Sequence, residues 1–318
     1  MSDSPYAYFS KMFQAVPQLM EVQRHAGGVF VSNRKSTLDA VRRLYPGADV
    51  ARYSTWFPKF SQGYKVMQQA RAILAGAPNP SILGQFSVLK CMVFHGTYMF
   101  LSKQALQQMS HFDLLCTIGP RMGRTIDRYR DEFSFKTIES GYLPFGSFPE
   151  KTATLISENL TRMKLDPGRK TIVYMPWGKP YGSWEIMAET IACDTPADFN
   201  LILRPHPSQG ITSRRSDRES FKRVSSLCKE RGNTLLDLNA YPLALLFSLA
   251  DLMVTDGTSP AEESLFYDVP QLFIETPLWS KDIIHSYAKR EGMHENDFEH
   301  YLELFKCGEL YSASQKKP

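Results

Sequence analysis

Ala250-Asp251-Leu252-Met253-Val254-Thr255-Asp256-Gly257-Thr258-Ser259-Pro260-Ala261-Glu262-Glu263 reads in three steps. Leu252 to Val254 is an apolar run with the length of a buried strand, and Thr255 to Ser259 is a hydroxyl-rich turn. Pro260 and the two glutamates then open a helix. A strand that delivers a polar turn and a helix is the repeating unit of parallel α/β sheets. Thr258 and Ser259 fall at the helix N-terminus, where N–H groups and the helix dipole suit an anion such as a diphosphate. An ordinary helix cap uses the same residues, so the stretch indicates the local fold and leaves the ligand open.

The same pattern extends in both directions. Gly28 to Ser32, Ser81 to Gln85, Lys90 to Phe94, Phe112 to Ile118 and Lys136 to Glu139 are short apolar runs, separated by helical spacers such as Thr37 to Tyr45. Thr171 to Tyr174, Asn200 to Leu203, Thr234 to Leu238 and Gln271 to Ile274 continue the series. Such alternation predicts an open parallel sheet with right-handed crossovers. The charged, turn-rich Lys164 to Lys170 marks a break, and it divides the chain into two doubly wound, Rossmann-like halves, 1–165 and 166–318.

Composition narrows the classes. In 318 residues, 37 Lys+Arg oppose 33 Asp+Glu, and a net charge of +4 is too small to argue for nucleic acid. The five cysteines (Cys91, Cys116, Cys193, Cys228, Cys307) form no CxxC pair, which speaks for reduced thiols and against a zinc staple. No apolar run reaches the roughly 18 residues that span a bilayer, and the first residues carry no export signal. A cytoplasmic protein, or one that touches the inner face of the membrane peripherally, is expected.

Two more strand ends carry chemistry. Cys91-Met92-Val93-Phe94-His95-Gly96-Thr97 places a histidine and a glycine at a strand tip. His95 there is either a base for a hydroxyl or a cap for the next helix. Leu201-Ile202-Leu203-Arg204-Pro205-His206-Pro207 delivers an arginine and a histidine into a loop stiffened by prolines. A planar guanidinium with an imidazole beside it suits phosphate oxygens, and so does a surface turn with two solvated cations.

Together, His95-Gly96-Thr97, Arg204-x-His206-Pro207 and Thr255-Asp256-Gly257-Thr258-Ser259 occur in the order found in CDP-glycerol glycerophosphotransferases, the GT-B enzymes of teichoic-acid and capsule polymer assembly. Glu139-Ser140-Gly141-Tyr142-Leu143-Pro144 and Val173-Tyr174-Met175-Pro176-Trp177 are similar to further elements of that family, so the resemblance runs from about residue 88 to 275. It implies two Rossmann-like domains facing a cleft that holds the active site. It implies a CDP-activated polyol donor, a polymer or lipid-linked acceptor hydroxyl, and release of CMP. His95 would be the base, with Gly96 and Thr97 beside the acceptor. Arg204, His206 and Pro207 would hold the donor diphosphate, with His206 acting on the leaving group. Asp256, Thr258 and Ser259 would line the phosphate site, and Glu263 would touch donor hydroxyls.

The chain departs from the family at Phe94 and Tyr98, where Trp and Pro are usual, and at Gly257-Thr258, where Tyr-Ser is usual. The Ser259-Pro260-Ala261-Glu262-Glu263 run is also similar to the donor turn of GT-B glycosyltransferases and 2-epimerases acting on UDP-sugars, which keeps that alternative open. A binding protein without turnover is the third reading. No Asp-x-Asp pair is present to hold a metal-bound diphosphate, so neither metal nor cofactor is expected. Tyr6 to Arg24, with Tyr8, Phe9, Met12, Phe13, Leu19 and Met20, either touches a membrane surface or packs on its own domain. Trp56, Phe57, Phe60 and Tyr64 form an aromatic cluster that is either core or a binding face, and core is the expectation.

Overall fold

The computed structural model describes residues 5–96, 101–211 and 214–313. Among the described residues thirteen strands form two sheets, with every strand pairing parallel. In the first are β1 (Tyr6–Phe9), β2 (Val29–Ser32), β3 (Val50–Arg52), β4 (Ala72–Ala75), β5 (Leu89–Val93), β6 (Leu114–Thr117) and β7 (Lys136–Glu139). Their order is β3-β2-β1-β4-β5-β6-β7. The second holds β8 (Thr171–Met175), β9 (Asn200–Leu203), β10 (Thr234–Leu236), β11 (Leu252–Thr255), β12 (Gln271–Glu275) and β13 (Gly308–Ser312), ordered β10-β9-β8-β11-β12-β13. Each sheet therefore reverses direction once, between β1 and β4 and between β8 and β11. Such switch points open a crevice at the carboxyl ends of the strands.

Burial on both faces explains why central strands such as β8 and β9 read as near-continuous apolar runs. In β8, Val173 and Met175 pack on one face with Ile202, Met253, Leu246 and Leu249. Tyr174 points to the other face and meets Leu201, Leu203, Val254, Trp184 and Phe221. The period-two alternation inside a wholly apolar run is visible only once both layers are present.

The compact units are Met1–Ser147 with Ala288–Phe298, and Phe148–Tyr287 with Glu299–Pro318. The division differs from a break at 165/166. The helix Ala153–Arg162 belongs with the second sheet, because Leu160, Met163 and Leu165 are buried against Leu246 and Phe247. Phe148 stacks on Tyr267 at 5.7 Å, and the Tyr267 hydroxyl donates to the Pro149 carbonyl. The turn at Asp166-Pro167-Gly168 is thus internal to the second unit. Asp297 is held in the first unit by its ion pair with Arg128.

Three readings of local sequence change. Ser81 to Gln85 is no strand: Asn79 adopts φ 41° and Pro80 starts the short helix Pro80–Leu83, a position where proline needs no N–H partner. Within Tyr6 to Arg24, β1 lies in the middle of the sheet and the apolar side chains Tyr8, Phe9, Phe13, Leu19 and Met20 are buried, so these rings and aliphatic groups pack on their own domain and are not offered to a membrane. Trp56, Phe57 and Phe60, expected in the core, are instead on the surface. No helix among the described residues is long and apolar enough to cross a membrane.

Candidate active site

In the first unit His95 follows β5 and lies beside the switch point. Its Nδ1 is 2.6 Å from the carbonyl oxygen of Gly76, the residue after β4. A carbonyl only accepts, so Nδ1 carries the proton and the basic lone pair resides on Nε2. Burial pushes the imidazole down to about 4, against the opposing pull of the Gly76 hydrogen bond, so the ring is neutral at physiological pH. Gly76 supplies this carbonyl because nothing larger fits: a Cβ there would lie 2.2 Å from that of Ala15. Gly96 is buried next to His95, and Thr97 lies outside the described residues.

In the second unit, the loops after β8, β9, β10 and β11 converge at the carboxyl edge of the sheet. His206 is the N-cap of the short helix Pro207–Gly210, with Pro207 at the first helical position. The Ser208 N–H donates to His206 Nδ1 at 3.2 Å, and Ser208 Oγ lies 2.7 Å from the same nitrogen. An Nδ1 that accepts a backbone N–H leaves the ring proton on Nε2. His206 is therefore arranged to donate where His95 is arranged to accept. Gly178, after β8, allows the ring its place, since a Cβ there would meet Nδ1 at 2.8 Å.

Arg204, expected to grip a diphosphate, is 4% exposed. Its Nη1 donates to Asp237 Oδ2 at 2.5 Å and to the Tyr241 carbonyl at 2.7 Å. Asp237, itself buried, accepts from the Ala240 N–H at 2.6 Å. The guanidinium ties the loop after β9 to the loop after β10, and so fixes the backbone that presents His206. Its Nη1 is committed internally because the buried Asp237 carboxylate would otherwise be left uncompensated.

Asp256, expected to line the phosphate site, is 1% exposed and clamps the switch point. Its Oδ2 accepts from the Trp177 N–H at 2.7 Å and the Ser183 N–H at 2.9 Å, and its Oδ1 accepts from the Ser183 hydroxyl. With that proton committed, the Tyr174 hydroxyl must donate to Ser183 Oγ at 2.7 Å. Burial raises the Asp256 carboxyl to about 6, against the three hydrogen bonds that favour its charge. The loops after β8 and β11 are thereby locked to each other. Gly257 follows at φ 76°, and a Cβ there would be 2.9 Å from the Phe305 ring. That contact accounts for glycine where the family carries tyrosine.

Thr258 is buried with extended backbone and its side chain makes no cap bond to the helix Ser259–Ser264, while Ser259 is half-buried at its first residue. Glu263, expected to reach donor hydroxyls, is only 7% exposed, and Glu262 is the more accessible of the pair.

Trp177, Tyr181, Trp279 and Tyr287 form an aromatic group at this edge that sequence reading did not assemble. Trp177 stacks on Tyr181 at 5.4 Å and meets Trp279 at 4.5 Å, while Tyr181 meets Tyr287 edge-on at 5.8 Å. Trp177 directly after a strand end was the available signal, but its partners lie up to 110 residues away, counted from Trp177 to Tyr287.

No protein-family model and no curated protein matches the chain. Solved structures do. The wall teichoic acid polymerase TagF, in a form soaked with CDPG, is similar over 96% of this chain and 83% of that one, with a TM-score of 0.59 at 14% identity. HepE of Anabaena, in complex with UDP and glucose, is similar over 96% of this chain and 97% of that one, with a TM-score of 0.52 at 10% identity. These likenesses establish the fold: α/β, with two Rossmann-like parallel-sheet domains of the GT-B type.

Proposed function

We propose that the chain is a transferase that moves glycerol phosphate, or a related polyol phosphate, from a CDP-activated donor to a hydroxyl of a cell-surface polymer or lipid-linked acceptor. The observation that carries this reading is the pair of opposed tautomers: His95 pinned by the Gly76 carbonyl as an acceptor, and His206 pinned by the Ser208 N–H as a donor. The resemblance of the sequence to CDP-glycerol glycerophosphotransferases supports it, as does the fold shared with a wall teichoic acid polymerase.

In this reaction the acceptor oxygen attacks the β-phosphorus of CDP-glycerol while its proton passes to His95 Nε2. The new O–P bond forms as the bond from the β-phosphorus to the bridging oxygen breaks. CMP leaves with that electron pair, and the His206 Nε2–H stabilises the charge that develops on it. Catalysis of this kind is mostly positioning and charge stabilisation. Arg204, through Asp237 and Tyr241, acts as a positioning residue for His206. Thr258 and Ser259 offer hydroxyl and backbone N–H groups to the phosphates, and Trp177 with Tyr181 offers a stacking face for the base.

Purified protein incubated with CDP-glycerol, CDP-ribitol and UDP-sugars tests the reading by the nucleotide released. CMP release that falls about 100- to 10,000-fold in His95→Ala is the expected result. UDP release alone would replace the reading with a UDP-sugar transferase, the function suited to the HepE likeness. Tight binding without turnover would make it a binding protein.

A further inference from the structure

The segment that follows β3 carries three large apolar side chains on the surface. Trp56 is 88% exposed, Phe57 69% and Phe60 85%. They are not on a frayed loop. Tyr53 anchors the entry, buried with its ring edge-on to Phe9 at 6.2 Å. Inside the segment the Phe57 N–H donates to Ser54 Oγ, and Ser61 Oγ donates to the Pro58 carbonyl at 2.6 Å. Ser61 also caps the next helix, Gln62–Gln69, by accepting from the Tyr64 N–H. The chain thus closes a built turn whose apolar rings face water.

The charge around the turn has one sign. Since β1, β2 and β3 are parallel neighbours, the segments after them share one edge of the sheet. Residues 10–12, 33–36 and 52–61 contain Lys11, Arg34, Lys35, Arg52 and Lys59, and no aspartate or glutamate. None of these five cations makes an ion pair with a described residue. Residues 52–61 also contain no Asn or Gln, the side chains that would hydrogen-bond sugar hydroxyls beside an aromatic platform.

We propose that this edge is a membrane-binding surface, in which Trp56, Phe57 and Phe60 enter the headgroup region of an anionic bilayer and Lys11, Arg34, Lys35, Arg52 and Lys59 lie against its phosphates. Aromatic rings ringed by lysine and arginine match a surface that is apolar beneath and anionic above. His95 sits at the same edge of the same sheet, so a lipid-linked acceptor presented at the bilayer would arrive on the side that holds the base. The proposal needs nothing from the transfer chemistry, and joined to that reading it gives the acceptor's route.

Sedimentation of the full chain with vesicles tests it. Vesicles of phosphatidylcholine containing about a third phosphatidylglycerol should retain the protein, and pure phosphatidylcholine should retain far less. Partitioning should fall about tenfold for each ring removed in Trp56→Ser/Phe57→Ser/Phe60→Ser, and about fivefold for each charge in Arg52→Gln/Lys59→Gln. CMP release with a water-soluble acceptor should be unchanged in both variants, which separates this proposal from the proposed reaction. Brominated lipid should quench wild-type tryptophan fluorescence, and Trp56→Phe should remove the quenched fraction, a readout that does not depend on the triple variant folding. No retention on anionic vesicles overturns the proposal, as does equal retention of the triple variant. Self-association that the triple variant abolishes, without vesicle binding, assigns the rings to a second copy and overturns it as well.

Discussion

Whether an imidazole takes or gives a proton is decided by what its other nitrogen faces. At His95 that neighbour is a carbonyl and at His206 an N–H, so two residues of one type hold different tautomers without any difference in side chain. The dependence on placement can be tested at Gly178, which touches neither proton. Gly178→Ala puts a Cβ 2.8 Å from His206 Nδ1 and 3.2 Å from its Cγ, and the ring must turn off its Ser208 bond. We expect kcat for nucleotide release to fall about 10- to 100-fold, with the melting temperature nearly unchanged, as steady-state kinetics and calorimetry would show. An unchanged kcat would mean that the tautomer of His206 does not matter.

Elements are held at the second unit's carboxyl edge by buried polar clamps that span loops. Arg204–Asp237 joins the loops after β9 and β10, and Asp256 joins those after β8 and β11. A buried pair contributes little over an apolar substitute, yet breaking it from one side leaves an unpaired charge. Arg204→Met should therefore cost about 3–5 kcal/mol in urea unfolding. Arg204→Met/Asp237→Asn should recover most of that loss, because Asn still accepts from the Ala240 N–H and carries no charge. A double variant no better than the single would show that Arg204 serves a ligand more than the fold.

Across the whole molecule, two buried groups shift in opposite senses and leave a signature in the pH dependence of stability. The His95 imidazole is lowered from 6.5 to about 4. Its folded state therefore binds protons less readily than the unfolded chain, and its contribution, full above pH 6.5, is lost as pH falls toward 4. The Asp256 carboxyl is raised from 3.8 to about 6. Its contribution is full below pH 3.8 and is lost as pH rises through 6. Between pH 4 and 6 the two slopes oppose. Removing one should expose the other: thermal melts of Asp256→Asn should gain stability with rising pH relative to wild type, and those of His95→Gln should lose it. Parallel profiles in all three proteins would contradict both assignments. A catalytic rate whose acid limb lies near pH 4 instead of 6.5 would be the kinetic counterpart at His95.

By itself the sequence determined the layered α/β class, most strands of both sheets, and the strand ends that carry polar residues. Those signals are local: a buried parallel strand is a short apolar run, and its carboxyl end is wherever the next polar residues stand. Asn200 to Leu203 coincides with β9 because the buried apolar run there ends at the polar Arg204. What it left to the tertiary structure was every property set by a distant partner. Tyr6–Phe9 became an interior strand because four registered pairs tie it to Ala72–Ala75. Arg204 turned inward because Asp237 lies 33 residues on, and Asp256 became a clamp because Ser183 lies 73 residues back. The same holds in reverse for Trp56, Phe57 and Phe60, whose composition reads as core and whose place on a closed turn after β3 puts them in water. Hydrophobicity states what a side chain prefers, and only the packed chain decides whether anything is there to meet it.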